Sequence, residues 1–281
     1  MKTKQLAWIM VLGIVLLFGA CGKPDQKPAP AAAASQGETA EEPTTPAAAR
    51  TGLRTISDMA NAWNTLYNKN EKAINDYEGM PIMGLVTPPL AFAAAVQFDI
   101  MNPNNRDGRF EGKLMLAGRP GFLEKAGAKL VFGYEDKLAK DGFGPMNKAG
   151  DRLHGSGSLD LDAGYFNWET FNEREGRKIQ REYTEFKRLD DGSMICLALS
   201  GQAFNMRGGE EMRSTAIYLH NGPGRYDFIV ARGQAGPGFP VLSFAAQGDL
   251  AKAQATELFQ AAGYEIEKSG GIQGGVLVLD K

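Results

Sequence analysis

The chain contains few of the residues on which catalytic and metal sites usually depend. It has only two cysteines, Cys21 and Cys196, and two histidines, His154 and His220, which share no motif. The sequence contains no His-x-x-x-His pair, no CxxC pair, no Gly-x-Ser-x-Gly turn, no phosphate-binding loop and no dinucleotide-binding glycine pattern. It therefore predicts no metal site and no cofactor, and it argues against zinc, thiol and common serine hydrolase chemistry.

The chain also lacks an excess of basic residues. Its formal net charge is −2. Loss of Lys2 and Lys4 with a cleaved leader would lower the basic count from 31 to 29 against 33 acidic residues, a net charge of −4. Nucleic acids and anionic lipid surfaces attract clustered lysine and arginine. We therefore expect no nucleic-acid partner and no polybasic contact with lipid.

The N-terminus reads as a targeting segment. Two early lysines precede an apolar run from Ala7 to Phe18, and the segment ends in Leu-Phe-Gly-Ala-Cys at Cys21. This pattern resembles a bacterial lipoprotein signal peptide with its lipobox, except that Phe18 takes the place of the usual leucine. The resemblance implies a signal peptide over residues 1–20 and lipidation of Cys21, and the alternative is an ordinary secretory signal that is cut elsewhere.

The residues after Cys21 fit a membrane-anchored protein of the cell envelope. Acyl chains on one cysteine anchor a chain stably, because each buried methylene contributes about 0.8 kcal/mol. By the same resemblance, Gly22 in place of Asp favours the outer membrane if the source is Gram-negative. Residues 22–50 are rich in Pro and Ala and contain no aromatic residue, which predicts a disordered linker. Residues 51–281 are then one folded domain.

Cys196 is left without a partner if Cys21 carries the lipid. The surrounding run, Met194 to Leu199, is the most apolar of the predicted strands. We therefore expect a buried, unreactive thiol in a central strand.

The folded domain is organised around strands joined by turn residues. Between Gly157 and Arg232, strand-like runs are separated by Glu175-Gly176, by Asp190-Asp191-Gly192 and by Asn221-Gly222-Pro223-Gly224. This spacing predicts an antiparallel meander sheet, half-barrel or barrel-like, in a mainly β (α+β) fold. An N-terminal helix over Ile56 to Tyr77 and a late helix over Asp249 to Ala262, with Asp249 as its N-cap, would pack on the sheet.

The hairpin at Glu175-Gly176 suggests a specific pairing of side chains. If Arg174 stands opposite Arg177, then Trp168 faces Tyr183 and Glu169 faces Glu182. Two facing carboxylates are either solvated, or the product of a slipped register, or an acid/base pair of the kind that glycan hydrolases use.

Apolar residues at helix, loop and sheet positions suggest a ligand pocket. The order of helix, long meander and late helix is similar to the architecture of periplasmic lipoprotein carriers and mycobacterial lipid-binding lipoproteins. Between helix and sheet, Met80 to Phe92 reads as a loop over the core or a lid over a cavity, and Ala94 to Met101 reads as a strand. The candidate ligand-binding residues are Trp63, Met83, Phe92, Trp168 and Tyr183.

These observations favour a non-catalytic envelope lipoprotein that binds a hydrophobic ligand or an envelope component. The first alternative is a structural or assembly subunit that docks a partner protein through a sheet edge or a helix. The second is a glycan hydrolase that uses Glu169 and Glu182.

Overall fold

The structure is a computed structural model that describes residues 52–75, 91–115, 118–141, 147–206, 209–244 and 250–280. The chain divides into two units, 1–44 and 45–281, and the described residues all belong to the second. The predicted signal peptide, Cys21, Met83 and most of the predicted lid lie outside the described residues.

One open antiparallel sheet of 11 strands, arranged in chain order from β1 to β11, makes up most of the fold. The predicted antiparallel meander in a mainly β fold is therefore confirmed. The strands are β1 (Gly108–Lys113), β2 (Pro120–Ala126), β3 (Lys129–Lys137), β4 (Arg152–Asp160), β5 (Tyr165–Arg174), β6 (Arg177–Arg188), β7 (Met194–Met206), β8 (Gly209–Gly222), β9 (Arg225–Gly233), β10 (Glu265–Gln273) and β11 (Val276–Leu279).

The predicted turns lie where the sequence places them. Glu175 and Gly176 join β5 to β6 with φ values of 51° and 78°, the left-handed pair that a two-residue hairpin turn requires. Gly192 and Gly224 also have positive φ, in the turns after β6 and β8. These turns fix neighbouring strands in antiparallel order without a crossover.

Helix α1 (Ile56–Asn75) begins at a capped N-terminus. The Thr55 hydroxyl accepts a hydrogen bond from the Asp58 amide (3.1 Å), and the Asp58 carboxylate accepts one from the Thr55 amide (3.0 Å), which is a reciprocal cap. The Asp99 carboxylate accepts further bonds from the amides of Ile56 and Ser57. Among the described residues, no helix is long and apolar enough to cross a membrane.

The prediction of a strand over Ala94 to Met101 is wrong, because this segment is helical. A helical stretch over residues 91–95 leads into a 3-10 helix over Val96–Met101. Phe92, Ala95 and Phe98 are all buried, and their spacing of three places them on one side of a helix but on alternating sides of a strand.

Helix α2 (Lys252–Ala261) is shorter than the predicted late helix. Its N-cap is Ala251 rather than Asp249, which lies outside the described residues. Gly263, with φ of 82°, follows its C-terminus as expected of a helix-ending glycine.

The sheet has two buried faces. The first face carries α1 and residues 91–101, and its core includes Trp63, Phe98 and Phe186. The second face carries α2 and the segment 236–244 over the later strands, and its core includes Tyr218 and Phe259. Because side chains alternate along a strand, a shift of one residue in pairing moves a side chain from one core to the other.

Cys196 lies in β7, near the centre of the sheet, and is fully buried in the core of the first face. Burial raises the pKa of its thiol well above the usual value. The expectation of a buried thiol in a central strand is confirmed.

Candidate ligand pocket

The side chains of the first face change from apolar to polar along the strands. One row of paired residues that crosses β3 to β8 is entirely apolar, and it consists of Leu130, Leu159, Phe166, Phe186, Cys196 and Leu219. The next row is mostly apolar and contains Phe132, Gly157, Trp168, Thr184, Ala198 and Ile217. The row beyond it is mostly polar and contains Tyr134, Gly155, Thr170, Glu182, Ser200 and Thr215.

A small pocket of about 80 Å³ lies at this boundary. The helical stretch 91–95 forms one wall and strands β5 to β8 form the other. Its floor is apolar, and hydroxyl groups and one carboxylate stand on the side of the polar row. The lining residues are Ala91, Ala94, Trp168, Thr170, Glu182, Thr184, Ala198, Leu199, Ser200 and Ile217.

Trp168 is the one aromatic residue of the lining, and two glycines make room for it. A Cβ atom on Gly155 would lie 2.8 Å from Trp168 Cη2, and one on Gly157 would lie 2.8 Å from Trp168 Cε3. The indole therefore lies flat over the backbone of β4. It is nearly parallel to the Phe132 ring, with an interplanar angle of 18° and a centroid distance of 5.6 Å. This packing fixes the pocket floor.

Glu182 stands at the mouth of the pocket, where it is exposed to solvent. Its carboxylate accepts a hydrogen bond from Gln180 Nε2 at 3.0 Å. Within the described part of the chain, no lysine or arginine forms an ion pair with Glu182. Arg181, next in sequence, points to the second face and binds Glu169 at 2.7 Å, so it does not pair with the carboxylate at the pocket mouth.

The five predicted ligand-binding residues do not form one site. Trp168 lines the pocket as predicted. Phe92 and Trp63 belong to the core of the same face, where both rings contact Phe186, at centroid distances of 4.1 Å and 5.0 Å. Tyr183 lies in the core of the second face, and Met83 lies outside the described residues.

The predicted pairing of Glu169 with Glu182 is wrong, because a bulge shifts the register. Arg174 does stand opposite Arg177, but Glu173 pairs with Lys178 and Asn172 pairs with Gln180, so that Ile179 is an extra residue in β6. Beyond the bulge, Glu169 pairs with Tyr183 and Glu182 with Thr170.

The shift places Glu169 and Glu182 on opposite faces of the sheet, where they cannot act on the same bond. It separates Trp168 from Tyr183 in the same way. A hydrolase site built from this pair of glutamates is therefore ruled out by the register.

Sequence reasoning missed the role of Glu185, a fully buried carboxylate on the second face. It accepts hydrogen bonds from the hydroxyls of Tyr165 and Tyr183, from Ser243 Oγ (2.8 Å) and from the Phe244 amide (2.7 Å). Burial, followed by the contact with Glu185, raises the pKa of Tyr165 to about 12, and burial followed by the charge of Glu185 raises that of Tyr183 further. The cluster ties the segment 236–244 to the sheet, since buried charges persist only where hydrogen bonds satisfy them. The available signal was the position of Glu185 two residues after Tyr183, which places both side chains on the same face of the strand.

The structure also brings together Ser193 and His220, which share no sequence motif. Ser193 Oγ donates to Asp191 Oδ1 at 2.5 Å and lies 3.0 Å from His220 Nε2. Because Ser193 donates its hydroxyl proton to Asp191, His220 Nε2 must donate a hydrogen bond to the serine oxygen. The imidazole therefore cannot act as a base that removes the serine proton. Both side chains are buried, and burial lowers the pKa of His220. This arrangement stabilises the turn after β6 and does not resemble an active site.

Comparison with known proteins finds no significant match, either to a family model, to a curated protein or to a solved structure.

Proposed function

We propose that the chain is a lipoprotein of the cell envelope, anchored by lipid on Cys21, whose folded domain binds the apolar part of a ligand without catalysis. The observation that carries this proposal is the pocket above Trp168, which lies where the first face changes from apolar to polar. An amphipathic ligand matches such a boundary, because its apolar part contacts the floor while its polar part stays at the mouth. The lipid anchor is supported by the resemblance of the N-terminus to a lipoprotein signal peptide.

The size of the pocket limits how a ligand binds. A cavity of about 150 Å³ is known to hold benzene in another protein, so a pocket of about 80 Å³ accommodates a group of only a few carbon atoms. The remainder of a longer ligand would extend out of the pocket through the mouth beside Glu182, or would displace the helical stretch 91–95.

Mass spectrometry of the full chain, purified in a non-ionic detergent from its own membranes and followed by organic extraction, tests this function. We expect a small amphipathic molecule to co-purify with the wild type. Ala198→Leu places a larger side chain on the pocket floor and should remove the ligand, whereas Ala253→Leu on the exposed surface of α2 should retain it. Circular dichroism and thermal unfolding identify variants that have lost the fold. A ligand-free wild type, or a folded Ala198→Leu variant that retains the ligand, would count against the proposal.

A docking subunit is the second candidate, and the edge strand β11 favours it. Val276, Val278 and Leu279 on this strand expose 63%, 39% and 37% of their surface. The edge of an open sheet presents backbone groups to which a partner strand can bind. A protein that cross-links to β11 in the native envelope, together with a ligand-free domain, would favour this candidate over the first.

A further inference from the structure

We propose that the ligand of the pocket carries a protonated amine beside its apolar part, and that Glu182 binds this amine. The inference rests on the proposed function and adds the chemistry of the polar end. It follows from the charges and hydrogen-bonding groups at the pocket mouth.

Glu182 is the only ionisable side chain among the residues that line the pocket within the described structure. The neighbouring arginines are engaged elsewhere. Arg181, next in sequence, binds Glu169 and the Phe239 carbonyl on the second face. Arg232, which continues the row of Glu182, Ser200 and Thr215 into β9, binds Glu267 at 2.6 Å. Arg119, whose guanidinium lies over the Tyr134 ring, is 3.4 Å from Asp136. An anionic ligand would therefore meet an unneutralised carboxylate, whereas a cation would be attracted by it.

Three hydroxyl groups complete the polar side of the pocket. Thr170, Thr184 and Ser200 line it together with Glu182. In the described residues, the hydroxyls of these three side chains have no hydrogen-bond partner. An ammonium group has three donors and no acceptor, and hydroxyl and carboxylate oxygens are the acceptors that it requires. A neutral alcohol would use the hydroxyls but would gain nothing from the charge of Glu182.

The aromatic floor supports the same ligand chemistry. Trp168 lines the pocket on the same strand as Thr170, two residues away. The indole attracts a cation over its face more strongly than other aromatic rings do, and it also packs against short alkyl groups. A carboxylate above an indole face would have no comparable attraction.

Three probes of nearly equal size separate these possibilities. n-Butylammonium, n-butanol and n-butyrate share a four-carbon chain and differ in the charge of the polar end. Each is titrated into the full chain in a maltoside detergent, which supplies no charged head group. The readout is the indole N–H resonance of Trp168. It is one of two tryptophan signals of the lipidated chain, because Trp8 lies in the predicted signal peptide and only Trp63 and Trp168 remain, and a Trp168→Phe variant assigns it.

We expect n-butylammonium to bind about fivefold more tightly than n-butanol, the factor given by one pair of charges about 4 Å apart at a water-like dielectric. n-Butyrate should bind more weakly than n-butanol. Glu182→Gln should abolish the preference for n-butylammonium over n-butanol. Glu257→Gln, which removes the same charge from the exposed surface of α2, should keep the preference.

The outcomes distinguish this inference from the proposed function. If n-butanol shifts the Trp168 resonance but n-butylammonium binds no more tightly, or if Glu182→Gln keeps the preference, the amine inference is wrong and the apolar pocket stands. Tightest binding of n-butyrate would also overturn the inference. If none of the probes shifts Trp168, the proposed function itself fails.

Discussion

Thr170, and not Glu169, stands opposite Glu182 in the β5–β6 pair. This pairing places a hydroxyl beside the carboxylate at the pocket mouth and sends Glu169 to the other face, where it binds Arg181. The same register places Trp168 on the pocket floor. The position of one bulge, at Ile179, therefore decides which residues form the candidate site.

Gly155 is required for the position of the indole. A Cβ atom there would lie 2.3 Å from Tyr134 Cε1 and 2.8 Å from Trp168 Cη2. We expect Gly155→Ala to lower the free energy of unfolding by about 1–3 kcal/mol, the usual cost of overpacking a core. Chemical denaturation of the wild type and of Gly155→Ala measures this difference in the free energy of unfolding. Gly238→Ala, which meets no atom within 4 Å, is the matched control, and equal stability of the two variants would contradict the packing described.

Glu185 accepts hydrogen bonds from four donors, and two of them, Ser243 Oγ and the Phe244 amide, hold the segment 236–244 on the second face. Glu185→Gln replaces one acceptor oxygen with an amide that faces those donors, so we expect a loss of about 1–3 kcal/mol of stability. Hydrogen exchange at the Phe244 amide, which donates to Glu185 at 2.7 Å, should become faster. Glu265→Gln on the exposed side of β10 provides the control. Unchanged protection of the Phe244 amide in Glu185→Gln would show that the bond does not hold the segment.

Asn70 joins α1 to the turn between β8 and β9. Its Nδ2 lies 2.9 Å from Asn221 Oδ1 and 3.2 Å from the Gly222 carbonyl. Asn70→Leu leaves these buried acceptors without their donor, and we expect a loss of about 1–3 kcal/mol. Asn64→Leu, at an exposed position of the same helix, should change stability by less than about 0.5 kcal/mol. Urea denaturation of the two variants tests this, and an equal effect would refute the role of Asn70.

Asp151 should make stability depend on pH in the acidic range. Arg174 donates to both of its oxygens at 2.8 Å, and this hydrogen bonding, more than any other cause, lowers the pKa of Asp151. Because the folded-state pKa lies below the unfolded value of about 3.9, the stabilisation is fully present above roughly pH 5 and is lost as the pH falls through the folded-state pKa.

Denaturation at a series of pH values checks this prediction. Asp151→Asn should be less stable than the wild type at pH 7, and the difference should shrink as the pH falls below 4. Asp162→Asn, at an exposed turn, should follow the wild type. A constant difference between Asp151→Asn and the wild type from pH 7 to pH 3 would contradict the ion pair.

Thiol titration tests the lipid anchor and the burial of Cys196 together. If Cys21 carries a thioether-linked lipid, the native full chain should show no reactive thiol, and the denatured chain should show one, from Cys196. A Cys196→Ala variant should show none in either state. One reactive thiol in the native wild type, persisting in Cys196→Ala, would mean that Cys21 is unmodified.

The strand order followed from local signals in the sequence. Gly176, Gly192 and Gly224 are of the residue type that adopts positive φ readily, and they mark the ends of strands. Because each turn joins adjacent antiparallel strands, the order of the meander could be derived without knowledge of distant contacts. Ser57 and Thr55 were both available as the cap of α1, and the structure uses Thr55.

The register could not be derived in this way. The bulge at Ile179 carries no special residue, yet it moves Tyr183 and Glu169 to the face opposite Trp168 and Glu182. Asn70 interrupts the apolar stripe of α1 and is buried through its hydrogen bond to Asn221. This partner could not be identified from the sequence, because it lies 151 residues away. The helical stretch 91–95 did carry a signal, since four of its five residues are alanine, a strong helix former.

Site-specific photo-cross-linking in the native envelope tests the central claim most directly. A diazirine side chain at Ser200, on the pocket lining, is compared with one at Ser156, which is exposed on the second face of β4. We predict that irradiation adds the mass of a small amphipathic molecule to the chain at position 200 and not at position 156. Absence of an adduct at position 200, or equal adducts at both positions, would contradict the ligand pocket.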